Sequence, residues 1–439
     1  MRAGLAGLCF PSAIVLDPRS IADRRDEIAE SCRKRGVRVD LDGTIAAYEQ
    51  VTALATEFNE ANRARNDHQK AGQKKLSDED REAFTAEGRR LKEVVTALEK
   101  KRALATSELE SRLKKLPNFV HPEVPEGGEK NFRELHTWGE VPRFDFEPRD
   151  HLELGSALDL LDFERAAIVS GQKFYYLKNE LVLLELGLQR FALDIAMAAD
   201  FVPYTTPDLA RPAILEGIGF NPRGEETQVY SVEDADLCLI GTAEITLGGF
   251  YADTILDEAD LPLRMAGLSH CFRTEAGTHG RESRGLYRVH QFSKVELFAF
   301  TKPEDSEAMH AELLGIEEKV FQGLEIPYRV IDVASGDLGA PATRKFDIEA
   351  WMPGRGEGGD WGEVTSASNC TDYQARRLKI RFRRSATKKN ELVHTLNGTA
   401  VSLARAILSL MEIHQRADGS IGIPPALQPY VGREVIGPR

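Results

Sequence analysis

The stretch CFRTEAGTHGRESRGLYRVHQFSKVELFAF, residues 271–300, decides how the rest of the chain is read. Its two ends, CFRTE and YRVHQFSKVELFAF, alternate like strands, and a loop rich in glycine and arginine joins them. Residues two apart on a strand share a face. Arg273 and Glu275 therefore point one way, and Arg288, His290, Phe292, Lys294 and Glu296 share a face of the second run. Paired as a hairpin, the runs make a charged, partly aromatic surface where a core usually sits. Two readings are open. Cross-strand ion pairs on a solvent-facing sheet would explain it. So would a ligand carrying phosphates, an aromatic base and an amine, because unpartnered buried ions are costly, arginine grips phosphate bidentately and an aromatic ring stacks on a base.

Three further stretches have the same double character. In LIGTAEITLGG, 239–249, Thr242 and Glu244 lie among small residues. They suit a small polar amine, or they cap a helix. In GEVTS, 362–366, the alternation puts Glu363 and Thr365 on one face and Val364 and Ser366 on the other; a carboxylate near phosphates is a natural Mg²⁺ ligand. In HTLNGTAVSLARAILSLMEIH, 394–414, the spacing predicts a helix opening at Asn397-Gly398-Thr399, with Arg405 in its first two turns. A cation there opposes the helix dipole, which an anion nearby would explain as well as chance would. YQARRLKIRFRR, 373–384, reads as a basic strand facing RNA or as a solvated edge.

Bulk properties bound the setting. The 439 residues carry a net charge of −13, but residues 61–115 hold fifteen Lys/Arg against ten Asp/Glu, which is +5 and leaves −18 for the rest. A basic segment on an acidic body fits a polyanion partner, or a helix with solvated lysines. Five cysteines, none in a CxxC pair, support neither a structural zinc nor a disulfide framework. No apolar run reaches the ~20 residues of a membrane span, and residues 1–17 read as an extension packed near the body. No GxxxxGK[ST] occurs, and the glycines of MPGRGEGGDWG, 352–362, are a weak dinucleotide signal.

From about 43 to 116 the chain is poor in proline and rich in Ala, Glu, Lys, Arg and Leu. Val51, Leu54, Phe58 and Ala61 follow helical spacing; Phe84, Leu91, Leu98 and Ala105 recur every seven residues, as do Val95, Leu109 and Leu116 allowing one skipped step. That seam predicts two long helices paired antiparallel as a coiled coil, with Gly72 at the reversal, Ser77 and Asp80 capping the second helix and Pro117 ending it. Residues 119–150, rich in proline and glycine, read as a linker. The remainder, 151–439, reads as an α+β domain on an antiparallel sheet.

FRTE…RGLYRVHQFSKVELF resembles motif 2 of the class II aminoacyl-tRNA synthetases; LNGTAVSLARAILSLME and FALDIAMAADFVPYTTPDL resemble motifs 3 and 1. With GTAE, SNCTDYQARRL and the helical arm, the chain from about Leu16 to Val435 is similar to seryl-tRNA synthetases of the bacterial and mitochondrial type. The resemblance implies a tRNA-binding domain over 1–118, a catalytic domain over 151–439 with a six- to seven-stranded antiparallel sheet flanked by helices, and a homodimer through motif 1. It implies attachment of L-serine to tRNA(Ser), and to tRNA(Sec), through a seryl-adenylate, in the cytoplasm or in the mitochondrial matrix. Serine would be read by Thr242, Ala243, Glu244, Arg273, Glu296, Asn397 and Thr399. ATP would lie against Arg273, Thr274, Glu275, Val289, Phe292, Glu363, Val364, Thr365, Ser366 and Arg405, with Mg²⁺ on Glu363 and Ser366; Arg273, Glu363 and Arg405 would carry catalysis. Position 399 is Thr where the family usually has Ser. A paralogue loading a small amino acid onto a carrier protein, or a non-catalytic paralogue, are the competing readings.

Overall fold

The computed structural model describes residues 20–72, 78–220, 228–275 and 285–438. The N-terminal extension, the proposed Ser77 cap and the loop 276–284 lie outside the described residues. The described residues divide into two compact units, one ending at Phe119 and the other starting at Val120.

The first unit holds α1 (Arg25–Lys34), α2 (Leu41–Ala71) and α3 (Asp78–Leu113). The Asp40 carboxylate caps α2 by accepting from Gly43 N at 2.9 Å, and it also receives Arg112 Nη1 at 2.8 Å from the far end of α3. At the other end His68 stacks on Phe84, ring centroids 3.8 Å apart. Contacts at both ends make the pair antiparallel. Helices of 31 and 36 residues run to roughly 46 and 54 Å. The heptad positions Leu91, Val95, Ala105 and Leu109 are buried, while Val51, Leu54, Phe58 and Ala61 of α2 are half-buried opposite them. The seam is narrow, as the sequence pattern requires.

The second unit is built on an eight-stranded sheet. In chain order its parts are β1 (Arg133–Trp138), α4 (Glu180–Met197), β2 (Val202–Thr205), α5 (Glu244–Gly249), β3 (Leu263–Phe272), β4 (Gln291–Thr301), α6 (Ser306–Gly323), β5 (Tyr328–Asp332), β6 (Arg344–Met352), β7 (Asp360–Thr371), β8 (His394–Ser402) and α7 (Leu403–Ile413). The strand order is β1-β5-β6-β7-β8-β4-β3-β2, antiparallel throughout except for the parallel β2–β3 pair. The expected hairpin is β3–β4, running from Leu263↔Phe300 to Phe272↔Gln291. The eighth strand comes from the stretch read as linker. Its residues are almost all exposed, so RELHTW offers no apolar alternation, and its prolines bracket the strand instead of interrupting it.

Alternate residues of β4 separate two cores. Val295, Leu297 and Ala299 pack towards the cluster that includes α4, α6 and α7. Phe298 and Phe300 pack on the opposite side with Ile245 and Leu247 of α5. The charged positions Lys294 and Glu296 share this second side, so the site begins where one core stops. The basic run 373–384 is not a single strand. It is a short helix, Tyr373–Leu378, followed by a strand, Arg381–Arg383. Arg384 is surrounded by Glu258, Glu304 and Glu391.

Candidate active site

Two adjoining pockets open on this side of the sheet. The first is lined by Arg273, Glu275, Tyr287, Val289, Phe292 and Arg405. The second is lined by Thr242, Glu244, Glu296, Ser366, Asn397 and Thr399, among others. Arg273, Lys294, Glu363 and Thr399 belong to both and form the wall between them.

Local structure departs from the expectation of alternating strands and a helix start in four places. β3 ends at Phe272, so Arg273 and Glu275 lie beyond it, with Glu275 at φ 51°. Strand β4 starts at Gln291, after a turn of helix over Gly285–Tyr287. Arg273 N donates to His290 O at 3.0 Å and His290 Nδ1 donates to Arg273 O at 2.9 Å, which carries the hairpin past the last strand residues. His290 itself packs on Phe174 and Tyr230. The third departure is a bulge in β7: Glu349 pairs with Glu363, and the next residue, Ile348, pairs with Thr365. The extra residue, Val364, puts Glu363 on the face of Ser366 and sends the Thr365 hydroxyl to the opposite side, where it meets Glu317 of α6 at 2.7 Å. Glu363 and Thr365 therefore do not share a face. Fourth, Asn397-Gly398-Thr399 does not open a helix. It belongs to β8, which bulges between Thr399 and Val401, and α7 starts at Leu403. Arg405 stays in the first helical turn.

In the first pocket the Arg273 guanidinium sits 5.5 Å from the Phe292 ring centroid. Glu275 is ion-paired with Arg288 at 2.9 Å. Arg405 Nη1 donates to Glu363 O at 2.9 Å and faces Glu363 Oε1 at 3.2 Å, and its guanidinium lies over Tyr287 at 4.8 Å. Burial alone would push the Glu363 carboxyl up; Arg405, Lys345 and Arg273 together hold it below the usual range.

In the second pocket Glu244 opens α5, and its Oε1 accepts from Gln374 Nε2 at 2.7 Å and from Asn397 Nδ2 at 2.9 Å. Thr242 Oγ1 accepts from Glu244 N at 3.2 Å, so Thr242 serves the helix start as well as the pocket. Burial first, and the neighbouring Glu296 second, push Glu244 up to about 7. Glu296 is raised by burial against the pull of Lys294, its ion-pair partner, and accepts from Thr399 Oγ1 at 3.3 Å. The threonine at 399 thus keeps the hydroxyl contact. Ala243 and Thr274, both expected here, do not line either pocket; Ala243 packs in the core beside Ile245.

Several residues of the site escaped the sequence reading. Gln374 holds Glu244, and Tyr287 lies beneath Arg405. A buried pair stands behind them: Glu412 accepts from His151 Nδ1 at 2.8 Å and from Gly354 N at 2.8 Å, while His151 Nε2 accepts from Leu286 N at 3.1 Å. A Cβ on Gly285, at φ 63°, would sit 2.0 Å from His151 Nε2. The available signal was Glu412 itself, an acid in the last turn of an apolar helix, where the dipole disfavours it.

An antiparallel sheet bearing this double cleft, closed by Arg405 at a helix start, defines a class II aminoacyl-tRNA synthetase core, and residues 228–414 match the family model "tRNA synthetase class II core domain (G, H, P, S and T)". Residues 15–120 match "Seryl-tRNA synthetase N-terminal domain". The chain belongs to the seryl-tRNA synthetase family. It is 53% identical to a serine–tRNA ligase of Rubrobacter xylanophilus over 97% of this chain and 99% of the relative, and 50% identical to that of Treponema denticola over 96% and 100%. The crystal structure of the Pyrococcus horikoshii seryl-tRNA synthetase complexed with ATP superposes with a TM-score of 0.86 at 38% identity, covering 97% of this chain and all of that one.

Proposed function

We propose that this chain attaches L-serine to tRNA(Ser), and to tRNA(Sec), in two steps, with ATP in the first pocket and serine in the second. The observation that carries the reading is the shared wall of Arg273, Lys294, Glu363 and Thr399. Groups bound on either side of it would meet at Arg273. A serine carboxylate oxygen attacks the α-phosphorus of ATP, the bond to the pyrophosphate oxygen breaks, and a seryl-adenylate remains. Arg273 neutralises charge that develops at the α-phosphate, Arg405 holds the far phosphates, and Phe292 stacks under the adenine. Positioning and fixed charge supply the rate. Glu244 and Glu296 take the serine ammonium and hydroxyl, and Asn397 and Thr399 fix those carboxylates. The adenylate carbonyl then passes to a hydroxyl at the tRNA 3′ end, with AMP leaving.

Glu363 and Ser366 offer hard oxygen donors on one face of β7, which fits Mg²⁺. Among the described residues no group of three or more His, Cys, Asp or Glu side chains could hold a metal, so an ion there would take its other ligands from phosphates and water. When bound, it would neutralise phosphate charge.

The +5 charge of residues 61–115, a segment that takes in part of α2 and all of α3, supports tRNA binding by the arm. Exposed Val182, Leu183 and Leu186 on α4, with Val202 on β2, support a homodimer through this face. The bacterial relatives favour a bacterial cytoplasm. No helix among the described residues is long and apolar enough to cross a membrane.

One experiment tests the function: serine-dependent ATP–pyrophosphate exchange, then serine transfer to tRNA, with and without residues 45–116. The reading expects exchange from both proteins and transfer from the full chain alone. Exchange without transfer by the full chain would favour a carrier-protein loader, and no exchange a non-catalytic paralogue.

A further inference from the structure

The ladder between β7 and β8 ends at Ala367↔Gly398. Beyond that rung each strand carries a bulge, at Val364 in β7 and at Ala400 in β8. The fork that results opens the cleft: Glu363 stands on one prong and Thr399 on the other, both in the wall shared by the two pockets.

Helix α6 backs this fork on the opposite face of the sheet. Its side chains meet β7 at alternate residues: Glu307 Oε1 accepts from Asn369 Nδ2 at 3.0 Å, His310 Nε2 donates to Ala367 O at 2.9 Å, and Glu317 Oε2 accepts from Thr365 Oγ1 at 2.7 Å. Glu317 is 0% exposed, and its Oε1 is buried with no side-chain partner. That oxygen sits 2.7 Å from where a Cβ on Gly398 would be, so a side chain at the last rung would displace it. The backbone N–H of Thr399 faces the same carboxyl and eases its burial. One side chain thus reaches both prongs where they stop pairing with each other. A fully buried carboxyl is a poor stabilising choice for a helix–sheet contact that an apolar residue would fill.

We propose that Glu317 is a positioning residue that holds the β7–β8 fork open and so sets the placement of Glu363 against Thr399 across the two pockets. The role rests on the serine-activation reading above. It extends that reading to a residue that touches neither substrate.

Three variants test it: Glu317→Leu, which keeps volume and removes the acceptors; Glu317→Gln, which keeps the acceptor for Thr365; and Thr365→Val, which removes only the hydroxyl. Each is measured by thermal melting and by exchange kinetics, with KM for serine and for ATP determined separately. Glu317→Leu should lower kcat about 10- to 100-fold, the usual loss for a supporting group, and raise the KM for serine more than that for ATP. Glu317→Gln should recover kcat to within about threefold of the unmodified chain, and Thr365→Val should reproduce part of the loss. A folded Glu317→Leu protein with unchanged kcat and both KM values unchanged overturns the role, as does a Glu317→Gln protein as impaired as Glu317→Leu. Should Glu317→Leu not fold, Thr365→Val decides, and unchanged kinetics there overturn the role. Absence of exchange in the unmodified chain would instead overturn the functional reading itself.

Discussion

The arm and the cleft use charge in opposite ways. On α3 charged side chains point outward and pair with neighbours a turn away, as Arg90 does with Glu87 at 2.7 Å with both side chains largely exposed. Such pairs contribute little to stability, and the arm is held by its apolar seam. In the cleft, Lys294 and Glu296 are buried against each other, and the half-buried Glu244 stands beside them. Nothing in packing favours that arrangement, and ions so placed cost stability unless something binds them. Repetition therefore stabilises one region, while the other keeps an unfavourable arrangement for its chemistry.

The sharpest way to break the comparison is to remove a cleft charge and watch the fold. Arg273→Ala should melt near the temperature of the unmodified chain, since among the described residues the Arg273 side chain donates one long bond, to Gly241 O at 3.3 Å. Exchange should fall about 10²- to 10³-fold or more, the loss expected when one fixed donor to a developing charge is removed. Exchange within tenfold of the unmodified rate would mean that the shared wall is not where the substrates meet.

The complementary change is in the seam. Leu109 is 5% exposed between the arm helices. Leu109→Ala should destabilise the arm by about 2–4 kcal/mol, the usual cost of a leucine-sized cavity, seen as an earlier denaturant transition. Exchange should stay unchanged while transfer to tRNA weakens. A loss of exchange would tie the two units more closely than separate stabilisation allows.

These two regions were also unequally legible. The seven-residue recurrence of Phe84, Leu91, Leu98 and Ala105 repeats one physical instruction, so the arm could be read before any coordinates. The cleft residues were found from their types and from a family resemblance, but their local structure was not. Alternation assigned Thr365 to the face of Glu363 because a bulge adds one residue without any mark in the residue types, and the same holds at Ala400. Asn397 to Thr399 looked like a helix start because small polar residues precede an apolar run; pairing with β4 overrides that local preference. Glu317, His151 and Gln374 were invisible for a different reason. Their roles depend on partners between 48 and 261 residues away, which no window of sequence contains.

The smallest expected effect tests the electrostatic half of the comparison through pH. Glu244 is raised to about 7, first by burial and then by Glu296. A carboxyl whose folded value lies above its unfolded one contributes stability below the unfolded value, near 4.5, and that contribution is lost as pH rises through about 7. The empty cleft should therefore lose stability across this window. Serine reverses the sign, because its ammonium favours the ionised carboxylate that the rising pH creates. Between pH 6 and pH 8 the ionised fraction climbs from about a tenth to about nine-tenths, so the KM for serine should fall roughly tenfold. Glu244→Gln should flatten that profile at a raised KM, and Glu296→Gln should shift its midpoint downward by removing the second cause. A wild-type KM that is flat from pH 6 to pH 8, while Glu244→Gln still raises it, would mean that Glu244 is already ionised in the empty cleft. Lys294 and Arg273 would then outweigh burial, and the cleft would be balanced in the way the arm surface is.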